Sequence, residues 1–205
     1  HLPWEAEAPE LAAWLRRRSL EHAETSDPFA LAAPAPFPEL ASQAQTLSTI
    51  GELPGGDPVQ RAHTLSVDVP GRKLAQIQAF ASRLQFQQRP THWLDWCAGK
   101  GHLGRWLTQD DQRLTCLEYD PALIESGGAL SKRLGLNATH IQQDVLADTC
   151  NEHLRQEHTP VALHACGDLH VRLLQLASHN DCPQLAVAPC CYNRIAGLHY
   201  QPLSS

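Results

Sequence analysis

Asp95-Trp96-Cys97-Ala98-Gly99-Lys100-Gly101-His102-Leu103-Gly104 is the stretch on which the fold turns. A Gly-x-Gly-x-x-Gly pattern alone marks only a tight turn. Here it follows an apolar run, Trp93 to Cys97, that reads as a strand, and it opens a segment, His102 to Leu107, that reads as a helix. Glu118 stands about 20 positions on, at the end of the next apolar run, Leu114 to Tyr119. Strand, glycine loop, helix and second strand ending in an acid form a unit that holds a nucleotide-like ligand. Glycine tolerates positive φ and lets a ligand approach the backbone, and the carboxylate accepts from ribose hydroxyls.

Outward from this unit the alternation continues. Gly71 to Gln87 reads as a helix, with Leu74, Ile77, Phe80, Ala81 and Leu84 on one face. Downstream come a helix from Pro121 to Leu134, a strand from Thr139 to Gln143, and a short helix from Cys150 to Gln156. A strand from Val161 to Ala165, a helix from Leu169 to Ser178, and a strand from Gln184 to Ala188 follow. Short apolar strands separated by helices predict an α/β fold: a Rossmann-like parallel sheet with helices on both faces. Residues 61–205 are assigned to this domain. Residues 1–60 are read as an N-terminal extension, with one helix over Ala8 to His22 and a Pro/Ala-rich arm over 26–60 that carries no packed element. Arg16, Arg17 and Arg18 read as a solvated helix face.

Two ligand classes compete for the glycine loop. A dinucleotide brings a pyrophosphate, which favours bare N–H groups at a helix N-terminus. S-adenosyl-L-methionine brings an amino group and a sulfonium, both cationic, which favour carboxylates. Asp95 precedes the loop, Glu118 ends the second strand and Asp144 follows the third. Three acids at three successive strand ends favour the sulfonium cofactor. Asp144 reads equally well as a turn cap.

With these residues in place the chain resembles class I methyltransferases in their first three motifs. From Leu94 to Tyr192 it resembles more closely the methyltransferase domain of glutathione S-transferase C-terminal-domain-containing proteins and related methyltransferase-like proteins. That likeness rests on Gly101-His102-Leu103-Gly104, on Ala162-Leu163-His164-Ala165-Cys166-Gly167 and on Pro189-Cys190-Cys191-Tyr192. More distantly it is similar to tRNA 2′-O-methyltransferases, with Pro70-Gly71-Arg72-Lys73 as the basic start of the helix ahead of the first motif. The resemblance implies methyl transfer from S-adenosyl-L-methionine, with RNA as the acceptor class. It places Asp95, Cys97, Gly99, Gly101, His102, Leu103, Glu118, Tyr119, Asp144, Val145 and His164 around the cofactor. A complete sheet of this class has seven strands. After Ala188 too few residues remain for two more, so a fragment of a longer protein is expected, with Leu185, Ala186 and Val187 on an exposed edge.

In the methyltransferase strand order, the first, fourth and fifth strands are neighbours. Their tips carry Cys97, His164 with Cys166, and Cys190 with Cys191. Three readings of these thiols stand: apolar packing against the cofactor, shaping of the acceptor side, and a metal site. The first is preferred, and no structural zinc is expected. Asp168, His164, Cys190 and Tyr192 are the catalytic candidates. Asp168 reads also as a helix cap, and His164 as a hydrogen-bonded structural histidine. Lys73 and Lys100, two of only three lysines in the chain, are expected to face the cofactor or acceptor groove.

The composition sets bounds. A net charge of −6 disfavours nonspecific polyanion binding. Seven cysteines, an odd number, without a C-x-x-C pair argue against a secreted disulfide framework and against a zinc ribbon. No apolar run reaches membrane-spanning length and no signal pattern opens the chain, which predicts a cytoplasmic protein. Two other functions remain: a noncatalytic cofactor-binding module of the same fold, and a nucleotide-dependent oxidoreductase.

Overall fold

The computed structural model describes residues 3–27, 29–49, 51, 61, 63–109, 111–191 and 193–199. The chain divides into two compact units, His1–Leu53 and Pro54–Ser205.

The first unit holds α1 (Pro9–Arg16), α2 (Leu20–Thr25) and α3 (Phe37–Ser48). The single helix expected over 8–22 is two: Ser19 interrupts it in extended conformation and caps α2 by accepting from His22 N. Helix α3 lies where a Pro-rich arm without structure was expected. Pro38 stands in its first turn, where the missing N–H costs nothing, so the proline starts a helix here instead of excluding one. Leu11, Trp14 and Leu15 of α1 and Phe37, Leu40 and Ala44 of α3 line one apolar hollow of about 450 Å³. Of the arginine run, Arg16 pairs with Glu5 and the Arg18 guanidinium lies 4.9 Å from the centre of the Trp14 ring.

The second unit opens with α4 (Gly71–Ala81) and alternates thereafter. β1 (His92–Trp96), α5 (His102–Leu107), β2 (Arg113–Glu118) and α6 (Pro121–Arg133) come first. β3 (Ala138–Gln142), β4 (His158–Leu163), α7 (Asp168–His179) and β5 (Ala186–Ala188) complete it. Helix α4 ends before the expected Gln87. The segment expected as a helix over 150–156 is a 3₁₀ turn over Asp148–His153. The five strands form one parallel sheet in the order β3-β2-β1-β4-β5. The order reverses between β1 and β4, and ligands of open α/β sheets bind at the carboxyl ends beside such a reversal.

Alternation along β1 sets the layers. Leu94 and Trp96 enter one core with Leu117, Ala162 and, from α7, Leu173 and Leu176. Trp93 enters the other with Ile77 of α4 and Leu103 and Trp106 of α5. Each face of β1 is therefore buried under helices, as a central parallel strand requires. The indole N–H of each β1 tryptophan finds a partner: Trp93 donates to Gln112 Oε1 and Trp96 to the carbonyl of Leu169, both at 2.9 Å. β5, at the edge, is three residues long and half-buried. No helix among the described residues is long and apolar enough to cross a membrane.

Candidate cofactor site

The glycine loop leaves β1 through a left-handed turn: Cys97, Gly99 and Gly101 have φ of 54°, 57° and 74°. Its glycines do different work. A Cβ on Gly101 would lie 2.9 Å from Cys116 Sγ, and one on Gly104 2.5 Å from Leu114 Cδ1, so these two let α5 settle onto β2. Gly99 faces open space, and the nearest atom to a Cβ there would be Lys73 Nζ at 3.9 Å. Gly99 thus leaves its backbone uncrowded, with Lys73 beside it.

Asp95 is not at the mouth of the site. It is 2% exposed beneath the loop, on the face of β1 that meets α4 and α5, and its Oδ2 accepts from Gly104 N at 2.8 Å. Burial raises its pKa to about 7, against the opposing pull of the Gly104 N–H, Lys73 and Arg105. From this position Asp95 ties the start of α5 to β1. His102 and Leu103, expected at the cofactor, are also turned inward, each 5% exposed. Leu103 joins the core on the α4/α5 side. His102 Nδ1 accepts from Arg105 Nη2 at 2.8 Å, and burial and that guanidinium lower its pKa to about 4. Arg105 also donates to the carbonyl of Lys100, so its buried guanidinium staples the loop from below. A histidine and an arginine three apart on one helix are the signal for that pair.

A pocket of about 320 Å³ opens at the carboxyl ends of β1, β2 and β3, lined by Cys97, Glu118, Tyr119, Gln143, Asp144, Val145 and Leu169. Five of the seven are residues expected at the cofactor. Glu118 Oε2 accepts from Gly99 N at 2.7 Å, and Oε1 from Tyr119 N and Asp120 N at 2.9 and 3.1 Å. The same carboxylate that faces the pocket therefore fixes the loop. Asp144 Oδ1 accepts from Leu146 N at 3.0 Å, so this residue both caps its turn and lines the pocket. Cys97 presents a neutral thiol, its pKa pushed to about 12 by burial and the nearby Glu118. Gln143 and Leu169 had no signal in the sequence. Gln143 Nε2 donates to the carbonyl of Asp144 and to Thr149 Oγ1, and Leu169 reaches the pocket from the start of α7.

The donor set fits an adenosine group. Two carboxylates stand at the ends of neighbouring strands for hydroxyl and amino donors, and Val145 and Leu169 give apolar walls. The volume is at the lower end for ligand pockets, which suits the nucleoside end with the remainder lying over Gly99.

The catalytic candidates fare unevenly. His164, with φ 69°, is exposed, and its Nε2 pairs with Gln76 Oε1 of α4 at 3.1 Å. It does not line the pocket. Asp168 is the first residue of α7 and its side chain makes no cap: Oδ2 accepts from Ala196 N at 2.7 Å while its own N–H donates to the carbonyl of Arg194 at 3.1 Å. It holds the segment after β5, so the expected helix cap does not stand. Gly167, with φ 54°, makes that contact possible, since a Cβ there would lie 1.7 Å from the Arg194 carbonyl oxygen. Cys166, Cys190 and Cys191 converge, whereas Cys97 stays with the pocket. Tyr192 lies outside the described residues.

Residues 71–197 match the model of a family described as a methyltransferase domain. No curated protein matches the chain. Among solved structures, a putative sarcosine dimethylglycine methyltransferase from Galdieria sulphuraria is 18% identical, with 67% of this chain and 53% of that one covered and a TM-score of 0.43. TrmK of M. capricolum, in complex with S-adenosyl-homocysteine, is 12% identical, covering 51% and 46%, with a TM-score of 0.39. A coclaurine N-methyltransferase bound to N-methylheliamine and S-adenosyl-homocysteine is 17% identical, covering 55% and 32%, with a TM-score of 0.38. This chain spans about half or less of the length of each of these.

Proposed function

Because this chain belongs to the methyltransferase-domain family, with S-adenosyl-L-methionine as its cofactor, we propose that it transfers the cofactor's methyl group to an RNA acceptor in the cytoplasm. The observation that carries the cofactor half is the convergence of Glu118, Asp144 and Cys97 on one pocket beside the glycine loop. In this reading Glu118 accepts from the ribose hydroxyls and Asp144 from the adenine amino group. Cys97, Val145 and Leu169 enclose the ring. The methionine end lies over Gly99, where Lys73 meets its carboxylate. The cofactor supplies an electrophilic methyl carbon on a sulfonium.

What the chain must add is alignment, since methyl transfer needs the acceptor in line with the breaking bond and positioning supplies much of the acceleration. The acceptor side lies between the turn after β4 and the segment after β5, which Asp168 holds in place through Arg194 and Ala196. The RNA class rests on the sequence resemblance. The test incubates the protein with methyl-labelled cofactor and either total RNA or protein extract. Label in nucleosides is expected. Label in peptides alone, or cofactor binding without transfer to either, would overturn the proposal.

A further inference from the structure

Two groups of potential metal ligands converge among the described residues. One, at the amino ends of β1 and β4, is His92, Glu157 and His158. It is not a ligand set. His158 Nδ1 accepts from Arg155 N, so in the neutral ring Nε2 carries the proton, and His92 Nε2 is engaged with Thr115 Oγ1.

The other group is sulfur. Cys166 follows β4, and Cys190 and Cys191 follow β5. Their three Sγ atoms lie within 4.8 Å of one another, and Cys166 and Cys190 stand at 2.8 Å. β4 and β5 are paired strands, with Leu163 opposite Ala188, so the sheet itself delivers the three thiols to one point. All three are free. Zinc binds thiolate at about 2.3 Å, which sets sulfurs on one tetrahedral ion roughly 3.8 Å apart. The Cys166–Cys190 pair is closer than that spacing, and Cys190, which is exposed, can supply the small outward adjustment. A disulfide between Cys166 and Cys190 would account for two of the sulfurs and leave Cys191 without a reason to be there.

We propose that Cys166, Cys190 and Cys191 bind one zinc ion beside the cofactor pocket, clamping the segment after β5 to the turn after β4. Three metal–sulfur bonds form, three thiol protons leave to solvent, and a water takes the fourth tetrahedral position. The resulting complex carries one negative charge. The clamp acts on the segment that Asp168 and Gly167 hold through Arg194 and Ala196. This site is independent of the acceptor's identity and of turnover.

The test begins with the full chain, reduced and stripped of metal, then titrated with zinc, and separately with cobalt(II) as a spectroscopic stand-in. One equivalent of zinc should bind, and the cobalt form should show intense near-ultraviolet thiolate-to-metal charge transfer. Cys166→Ser and Cys191→Ser should each lose the equivalent. Cys182→Ser should keep it, because that thiol is occupied elsewhere, donating to the carbonyl of Arg155. The cobalt spectrum of the unaltered chain decides the matter even if a serine variant folds poorly. Absence of a bound equivalent, a cobalt spectrum without charge transfer, copper in place of zinc in protein purified under reducing conditions, or a native Cys166–Cys190 disulfide with Cys191 free would each overturn the proposal.

Discussion

Asp95 and Glu118 are both acids at the edge of one loop, and their surroundings assign them different work. Glu118 faces the pocket, so its loss should be felt in binding. Glu118→Ala should weaken S-adenosyl-homocysteine by about 1–3 kcal/mol in isothermal titration, the usual cost of leaving polar partners unmet. Unchanged affinity would remove Glu118 from the cofactor. Asp95 should be felt in stability against pH. Its folded pKa of about 7 lies above the ordinary carboxylate value. Between about pH 4 and 7 the folded chain therefore holds a proton that the unfolded chain has released, and this group's contribution falls as pH rises. His92, His102 and His140, each lowered to about 4 by burial, act in the opposite sense. Their contribution is present above about pH 6.5 and is lost as pH falls toward 4. Asp95→Asn removes only the first effect. The variant's urea midpoint, relative to the parent's, should climb steadily from pH 4 to 7, and a flat difference would contradict the buried carboxyl.

At the scale of elements, two contacts hold the site's walls. Helix α5 sits on β2 only because Gly101 and Gly104 have no side chains, with would-be Cβ atoms 2.9 and 2.5 Å from β2 side chains. Gly101→Ala meets that crowding and a left-handed φ together. It should destabilise the fold by about 1–3 kcal/mol, read as a lower denaturant midpoint with unchanged slope. The second contact joins the turn after β4 to the segment after β5. Asp168→Ala removes the acceptor of Ala196 N. Limited proteolysis should then cut within 190–199 at least several times faster, while cofactor affinity stays near the parent's because the pocket on β1–β3 is untouched. Equal cleavage rates would show that Asp168 does not hold this segment.

For the whole molecule, the site belongs to the unit Pro54–Ser205, and every pocket-lining residue lies there. A ligand that binds only the folded state stabilises it by about 2.7 kcal/mol at one hundred times its Kd. Saturating S-adenosyl-homocysteine should therefore raise Tm by several degrees, and NAD at equal concentration should not. A shift with NAD instead would return the oxidoreductase reading.

The sequence by itself determined the α/β class, the strand sequence and the placing of Cys97, Glu118, Tyr119, Asp144 and Val145 at a common site. Each of these follows from short-range patterning: apolar runs, glycine spacing, and acids at strand ends that a parallel sheet must bring to one edge. Only the tertiary structure decided where the remaining side chains go. Asp95, His102 and Leu103 share the motif with Gly99 yet point inward, because α4 and α5 cover that face of β1. Asp168 and Gly167 answer to Arg194 and Ala196, about thirty residues away, a partnership with no local signature. The meeting of Cys166 with Cys190 and Cys191 depends on β4 pairing with β5. Helix α3 was hidden for the converse reason: the prolines and alanines at and before its start look like a loop until Pro38 is seen in the first turn of a helix. Periodicity says which residues are apolar neighbours along the chain. The chemistry of this site depends on which ones are neighbours across it.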